Sequence, residues 1–147
     1  MVKKVIPIKG NIVDNDTGGF YDFFGIEGFV SPKKVTESLA DVGPEDTVEL
    51  QVASNGGDVF AASEIYTALK ACSVPVTASI QGLAASAASV ISMAADNVTI
   101  SPTAQIMIHR AWSGVNGNTE DLQHEAEVLE KIDNSIASAY EKKTGMD

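Results

Sequence analysis

The sequence predicts an α/β domain built on a mostly parallel β-sheet. Short segments that alternate or are rich in β-branched residues recur along the chain, and segments with apolar residues at helical spacing lie between them. Strands that alternate with helices in this way favour parallel pairing through right-handed crossovers. The length of 147 residues and the apolar content of 44% suffice for one buried core, so we expect residues 1–147 to form a single domain.

The individual elements follow from local patterns. Strands are predicted over 1–9, 47–53, 75–80, 97–100 and 105–109, and helices over 32–42, 59–71, 84–95 and 119–143. Residues 11–28 are rich in Asp, Gly and aromatic side chains, and we predict a loop there that packs on the domain or meets another chain. Residues 54–57, S-N-G-G, are predicted to form a turn between a strand and a helix.

Two helix boundaries carry strong signals. Ser31 and Pro32 are typical of a helix N-cap and first turn. Lys142 and Lys143 are typical of a last helical turn, and Gly145 is typical of the position just after it. These patterns predict a helix that begins at Ser31 and Pro32 and a long final helix that ends just before Gly145.

Composition excludes several classes of function. The net charge of −10 and the isoelectric point near 4.5 argue against nucleic acid or anionic membrane as partners. The single cysteine, Cys72, cannot form an intrachain disulfide and is interpreted as a small buried or half-buried thiol in a reducing compartment. No signal peptide, membrane span, Cys/His cluster, phosphate loop or dinucleotide motif occurs, so we expect a cytoplasmic protein without metal or cofactor.

The segment Q-G-L-A-A-S-A-A-S, residues 81–89, is the most informative stretch. A β-rich run leads into small residues that can begin a helix, which places Ser86 at the helix start. A serine there is surrounded by backbone N–H groups near the positive end of the helix dipole, where a developing negative charge is stabilised. The alternative is structural, because small residues also let a helix pack closely on a sheet. Ser86 is therefore a candidate nucleophile.

Two further strand ends supply the rest of a hydrolytic site. His109 ends a β-rich run and is a candidate general base, although a polar residue at a strand end can be purely structural. Gly56 and Gly57 can serve only to turn the chain, or they can leave N–H groups open to a carbonyl oxygen. The N–H groups of Gly57 and Ala87 then form an oxyanion hole. Ligands meet an open α/β sheet at such strand ends.

These motifs carry a family resemblance over about two-thirds of the chain. S-N-G-G before a helix, G-L-A-A-S-A-A-S, M-I-H, and a glycine-containing loop before a long helix resemble, in that order, the proteolytic subunit of Clp protease. The short N-terminus, Trp112 and the segment E-K-I-D-N-S-I-A-S-A-Y are most similar to the Clp-like proteases of phages and prophages that act in head maturation.

The resemblance implies a serine endopeptidase on the ClpP/crotonase fold. Ser86 matches the nucleophile, His109 the base, and Gly57 and Ala87 the oxyanion donors, with Gly56 beside them. The long helix at about 119–143 matches the family's protruding handle, which implies a homo-oligomeric ring, polypeptide substrates, and an ATP-driven unfoldase as a separate partner. The apolar stripe of this helix then packs on a neighbouring subunit; the alternative is packing on its own domain alone.

The sequence departs from the family pattern in two respects. The family's triad aspartate lies well beyond the histidine, and neither Asp121 nor Asp133 matches its motif, so we expect this chain to lack the family's C-terminal portion. Ala111 stands where many relatives have proline. His124, the other histidine, is interpreted as an exposed surface residue of the handle.

Two alternative functions remain open at this point. One is a catalytically inert structural or assembly subunit of the same fold. The other is an acyl-CoA enzyme related to the crotonases, which would use the glycine N–H groups without a serine nucleophile. Covalent labelling of the serine separates the peptidase from both alternatives.

Overall fold

A parallel β-sheet organises the first two-thirds of the chain. The structure is a computed structural model that describes all 147 residues. The sheet order is β2-β1-β3-β4-β5, β6 pairs with β4, and every pair of strands is parallel, which confirms the predicted fold class. In chain order the elements are β1 (Lys3–Ile12), α1 (Asn15–Phe23), β2 (Phe29–Val30), α2 (Pro32–Ala40), β3 (Thr47–Gly57), α3 (Val59–Lys70), β4 (Val76–Ala85), α4 (Ala87–Ser92), β5 (Asn97–Ile100), β6 (Gln105–Met107) and α5 (Thr119–Thr144).

The chain folds as two compact units, Met1–Ile108 and His109–Asp147. The first contains the sheet and helices α1 to α4, and the second contains a loop followed by α5. The predicted handle at about 119–143 therefore corresponds to α5. None of the helices combines the length and the apolar character needed to cross a lipid bilayer.

The core of the first unit lies between the sheet and its helices. Alternate side chains of β1 and β3 point to this core, and Ile8, Leu50 and Val52 have no exposed surface. Ile65 of α3 is equally buried against them. Burying an Ile or Leu side chain contributes about 1.5–3 kcal/mol, so the alternation read from the sequence is what stabilises these central strands.

Helix α1 corrects the predicted loop at 11–28. Asp14 is its N-cap, and its carboxylate accepts a hydrogen bond of 2.7 Å from the N–H of Thr17. Gly18 lets the helix approach closely, since an added Cβ would lie 3.1 Å from the Phe29 ring. Tyr21 packs edge-on against the same ring, with 5.2 Å between centroids. The cap and the packing on Phe29 outweigh the low helix propensity of the glycines.

Strand pairing corrects the predicted boundaries at the carboxyl ends of the sheet. The turn predicted at 54–57 belongs to β3, because Gly56 and Gly57 pair with the end of β1. Residues 81–85 likewise belong to β4, and 83–85 pair with β6, so α4 is only six residues long instead of the predicted 84–95. Strand β6 ends at Met107, two residues before the predicted end at His109. Pairing with distant segments decides these boundaries.

Helix α5 forms most of the second unit and confirms the predicted final helix. The Asn118 side chain accepts from the N–H of Asp121 (3.1 Å), and the Asp121 carboxylate accepts from the N–H of Asn118 (3.0 Å). This reciprocal capping box satisfies two N–H groups at the helix start. Gly145 ends the helix with φ of 70°, in the left-handed region that favours glycine. Local signals alone determine both ends of α5.

Candidate active site

Ser86 lies on a sharp turn between a strand and a helix. Strand β4 ends at Ala85 and α4 begins at Ala87, so Ser86 alone joins them. Its φ of 53° and ψ of −123° make it the one non-glycine residue with a positive φ. A side chain held in such a conformation costs about 1–3 kcal/mol and is found mainly where function requires it. This turn presents the serine side chain at the carboxyl edge of the sheet.

Hydrogen bonds on both sides hold this turn. The N–H of Ser86 donates to the carbonyl of Met107 in β6 (2.9 Å). The carbonyl of Ser86 accepts from the N–H of Ser89 (2.9 Å) and that of Val90 (3.3 Å), and also from the Ser89 hydroxyl. The backbone of Ser86 is therefore fixed by the neighbouring strand and by the helix that follows it.

Three serines occur between 86 and 92, and their environments differ. Ser89 and Ser92 are fully buried, and their hydroxyls donate to the carbonyls of Ser86 and Ala88. Ser86 is only half-buried, and its side chain does not cap the helix. Of the three serines, Ser86 is the one that is partly exposed.

Gly56 lies directly against the Ser86 turn. A Cβ atom added at Gly56 would lie 2.8 Å from both the Ala85 carbonyl oxygen and the Ser86 Cβ, and 3.1 Å from the Ala87 nitrogen. Its φ of 100° also disfavours any other residue. The backbone at the end of β3 can approach the serine this closely only because this residue is glycine.

The N–H groups of the two glycines point to different places. That of Gly56 donates to the Ser54 hydroxyl (3.0 Å), and Ser54 in turn donates to the carbonyl of Gly10 in β1 (2.6 Å). Two residues after Gly56, the N–H of Asp58 donates to the carbonyl of Ile12, which is also in β1 (2.9 Å). Successive N–H groups of a strand alternate between its two sides, so that of Gly57 is directed away from β1.

Ala87 supplies the second N–H group of interest. It is the first residue of α4, where a backbone N–H has no partner within the helix. Because α4 has only six residues, individual N–H groups and not a helix dipole determine the electrostatics of this corner. The structure thus brings Gly56, Ser86 and Ala87 into direct contact, with Gly57 next to them in β3.

A cavity of about 550 Å³ opens at the same edge of the sheet. It lies where the pairing of β1 with β3 shifts register after Lys9, and that of β3 with β4 after Val52. Such irregularities often lie beside active sites. The cavity is lined by Gly10, Asn11, Ala53, Ser54, Asn55, Gly82 and Leu83.

His109 is the first residue of the second unit and is exposed. Its Nδ1 lies 2.5 Å from the carbonyl oxygen of Arg110. A carbonyl oxygen can only accept, so this contact is a hydrogen bond in the tautomer that carries the proton on Nδ1. In the neutral ring Nε2 is then unprotonated and is able to accept a proton, as a general base must.

The remaining histidine, cysteine and acidic residues have ordinary environments. His124 is exposed on α5, as predicted, and Cys72 is half-buried with a free thiol. No group of three or more His, Cys, Asp and Glu side chains is arranged to hold a metal ion. The acidic residues with lowered pKa values, Asp14 and Asp46, accept hydrogen bonds at exposed turns of the first unit.

Sequence reasoning missed two polar contacts near the candidate residues. Ser54 holds Gly56 through its hydroxyl, and its signal was a serine two residues before the glycine in S-N-G-G. Asp133, which does not match the family's acid motif, accepts from the N–H of Ala111 (2.7 Å). No local signal marks this second contact, because it joins residues 22 positions apart.

Comparison with known proteins identifies the family. The family model described as Clp protease matches residues 34–147, more than half of the chain. The chain therefore belongs to the Clp protease family, as its motifs predicted.

Relatives with assigned names agree with this assignment. An ATP-dependent Clp protease proteolytic subunit of Deinococcus radiodurans is 32% identical over 110 residues, which are 74% of this chain and 54% of that protein. The proteolytic subunit 2 of Treponema denticola is 31% identical over 123 residues, 82% of this chain and 60% of its own length. A proteolytic subunit of Pleurastrum terricola is 32% identical over 98 residues, 65% of this chain and 50% of that protein. The chain thus spans between half and three-fifths of the length of these relatives.

Proposed function

We propose that this chain is a serine endopeptidase unit of the Clp type, with Ser86 as nucleophile and His109 as general base. The observation that carries the proposal is the strained turn at Ser86, closed on one side by the backbone of Gly56. A strained strand-to-helix turn is how other serine hydrolases expose their nucleophile. A serine needed only for packing gains nothing from a positive φ, since its neighbours Ser89 and Ser92 adopt ordinary helical conformations.

The proposed reaction passes through an acyl-enzyme. The Ser86 Oγ attacks the scissile carbonyl carbon while His109 Nε2 takes the hydroxyl proton. The imidazolium then donates this proton to the departing amine, and the C–N bond breaks. Water repeats the same steps on the ester, and the carboxylic acid leaves with Ser86 regenerated. The Nδ1–H of His109, bonded to the Arg110 carbonyl, supports this assignment because it leaves Nε2 as the basic nitrogen.

The N–H groups of Gly57 and Ala87 are proposed to bind the oxyanion. Support comes from the direction of the Gly57 N–H, away from β1, and from the position of Ala87 at the start of α4. The N–H of Gly56 is bonded to the Ser54 hydroxyl, so Gly56 is not proposed as a donor. Its contribution is to let the backbone of β3 approach the Ser86 turn closely. Each such donor is worth about 10² to 10³ in rate.

Substrates and partners follow from the relatives' names and from the residues together. We propose unfolded polypeptides as substrates, and phage-capsid polypeptides in particular because of the likeness to head-maturation proteases in Trp112 and residues 130–140. The relatives are named as proteolytic subunits of ATP-dependent proteases. We therefore propose assembly into a homo-oligomeric ring served by a separate ATP-driven unfoldase.

A fluorophosphonate probe tests the catalytic assignment. We expect it to label the wild-type chain at Ser86, as located by peptide mass spectrometry, and to leave Ser86→Ala unlabelled. Ser63→Ala is the matched control, since Ser63 is exposed on α3 and should label like wild type.

Labelling combined with two further measurements separates the alternatives. Stable oligomers in light scattering without any labelling, even when the chain is extended by the family's C-terminal portion, would favour an inert assembly subunit. Tight binding of a CoA thioester by an unlabelled protein would favour a crotonase-like enzyme. Either outcome rejects the peptidase proposal.

A further inference from the structure

Strand β3 carries a β-bulge just before its two glycines. Positions 9 and 11 of β1 pair with positions 53 and 56 of β3, so the single residue Gly10 faces both Ser54 and Asn55. An extra residue of this kind interrupts the ladder of backbone hydrogen bonds, and such bulges are common beside active sites. The interruption lies where β3 reaches the Ser86 turn through Gly56.

The Ser54 hydroxyl bridges the two strands at this bulge. It donates to the carbonyl oxygen of Gly10 at 2.6 Å and accepts from the N–H of Gly56 at 3.0 Å. Two residues further on, the N–H of Asp58 donates directly to the carbonyl of Ile12 at 2.9 Å. The same direct bond between Gly56 and Gly10 is therefore replaced by one that passes through the hydroxyl. Ser54 is only 3% exposed, so the bridge is shielded from water.

The acceptor end of this bridge is held firmly. A Cβ atom added at Gly10 would overlap the carbonyl of Gly28, so the two backbones are in close contact. The N–H of Asn11, the next residue of β1, donates to that same carbonyl at 3.3 Å. The bridge therefore connects the glycine end of β3 to a well-fixed part of β1.

The donor end of the bridge is the part that needs fixing. Gly56 and Gly57 have φ values of 100° and 150°, in the region that favours glycine. Glycine has more conformational freedom than any other residue, so two in succession require contacts to keep one orientation. The peptide group between them carries the N–H of Gly57. Its orientation depends on that of Gly56, whose N–H is held by Ser54.

We propose that Ser54 is a positioning residue for the oxyanion hole. By accepting from the N–H of Gly56, its hydroxyl fixes the peptide group that follows, and the N–H of Gly57 is then the one presented to the oxyanion. This inference rests on the proposed function, because it takes the N–H of Gly57 as an oxyanion donor. Ser54 acts through the backbone of β3 and takes no part in making or breaking bonds.

The rate of fluorophosphonate labelling at Ser86 tests this role. The Oγ–P bond forms, the P–F bond breaks with loss of fluoride, and the serine proton passes to His109, while negative charge grows on the phosphoryl oxygen. Removing an oxyanion donor costs about 10²- to 10³-fold in rate, and a misplacement of about 1 Å costs about 10²-fold. Ser54→Ala displaces a donor without removing it, so we expect the rate constant at saturating probe to fall about 10- to 100-fold. The probe concentration that gives half of this rate should stay unchanged.

Three further variants separate the bridge from stability alone. Ser54→Thr keeps the hydroxyl and should label at a rate close to that of wild type. Ser92→Ala is the matched control, because Ser92 is another buried serine whose hydroxyl donates to a carbonyl, that of Ala88 at 2.9 Å. We expect this control to label at the wild-type rate. If Ser54→Ala does not fold, Ser54→Cys answers the same question, since a thiol is only a weak donor and acceptor.

Amide NMR gives a second measurement that does not depend on activity. In Ser54→Ala the amide proton of Gly56 loses its acceptor and should move upfield. The amide resonance of Gly57 should shift or broaden, because its peptide group is released. Both resonances should keep their wild-type positions in Ser92→Ala. A serine that only stabilises the fold predicts an unchanged Gly57 resonance and an unchanged labelling rate.

The failure of this inference is distinguishable from that of the proposed function. If wild type labels and Ser54→Ala labels equally fast with an unchanged Gly57 resonance, Ser54 has no positioning role and the peptidase proposal stands. A Ser54→Thr protein that keeps the Gly56 resonance but labels as slowly as Ser54→Ala would also contradict the role of the bridge. If wild type does not label, the proposed function fails, and the NMR spectra still decide whether Ser54 orients the glycine pair.

Discussion

The turn at Ser86 and the loop at 109–118 are held in opposite ways. Ser86 is fixed by backbone hydrogen bonds to β6 and α4 and by the glycine backbone of β3, among fully buried small residues. The loop is exposed, with Trp112 81% accessible, and polar side chains of α5 hold it. Packing can enforce a strained conformation, whereas a few polar contacts can only bias one. The two regions should therefore respond differently to substitution.

The largest effect is expected at Ser86 itself. Ser86→Gly should abolish fluorophosphonate labelling and also raise the free energy of unfolding by about 1 kcal/mol, because glycine relieves the positive φ. Ser86→Ala should abolish labelling with little gain in stability, since alanine retains the strain. Urea denaturation compares the three proteins. A Ser86→Gly protein less stable than Ser86→Ala would contradict the idea that strain is stored in this turn.

The next effect is expected at Gly56. Gly56→Ala places a methyl group 2.8 Å from the Ser86 Cβ at a φ of 100°, so we expect a loss of about 2 kcal/mol or more in the free energy of unfolding. Labelling at Ser86 should fall with it. Gly114→Ala in the loop is the matched control, because no atom beyond its two chain neighbours lies within 4 Å of the added methyl group. Equal losses of unfolding free energy in Gly56→Ala and Gly114→Ala would contradict the idea that packing holds the Ser86 turn more tightly than the loop.

A smaller effect is expected where α5 begins. Asn118→Ala removes one half of the capping box and should destabilise the helix start by about 1 kcal/mol. Hydrogen exchange should show faster exchange in the first turn of α5. Gln123→Ala, at an exposed position without a capping role, is the control and should leave exchange unchanged. Unchanged exchange in Asn118→Ala would mean that the cap is dispensable.

The smallest effect concerns acid sensitivity of α1. The hydrogen bond from the Thr17 N–H to the Asp14 carboxylate lowers the pKa of Asp14 below its ordinary value of 3.8. A lowered pKa in the folded state gives stability that is complete above the ordinary value and is lost as pH falls through the folded one. The chemical shift of the Thr17 amide should change with this loss as the pH falls below 3.8. Asp14→Asn keeps a good N-cap without a titrating group, so its Thr17 resonance should stay constant.

The candidate residues of the first unit could be singled out because their signals are local. Small residues around Ser86 and the glycines of S-N-G-G identify residues that the structure brings into contact. The long-range hydrogen bonds of Ser54 and Asp133 could not be predicted in the same way. Ser54 bonds to Gly10, 44 positions away, and Asp133 bonds to Ala111, 22 positions away. A polar contact over such distances has no periodicity or spacing by which a sequence reveals it.

The sequence by itself determined the α/β class, the start of α2 at Ser31–Pro32, strand β5 and both ends of α5. Caps, alternation and a closing glycine act over a few residues, so these elements could be read without knowing what lies beside them. Only the tertiary structure decided that 54–57 and 81–85 are strands and that α1 is a helix. Pairing with β1 and β6 and packing on Phe29 join distant segments, and their contribution exceeds the weak local preference of glycine-rich stretches.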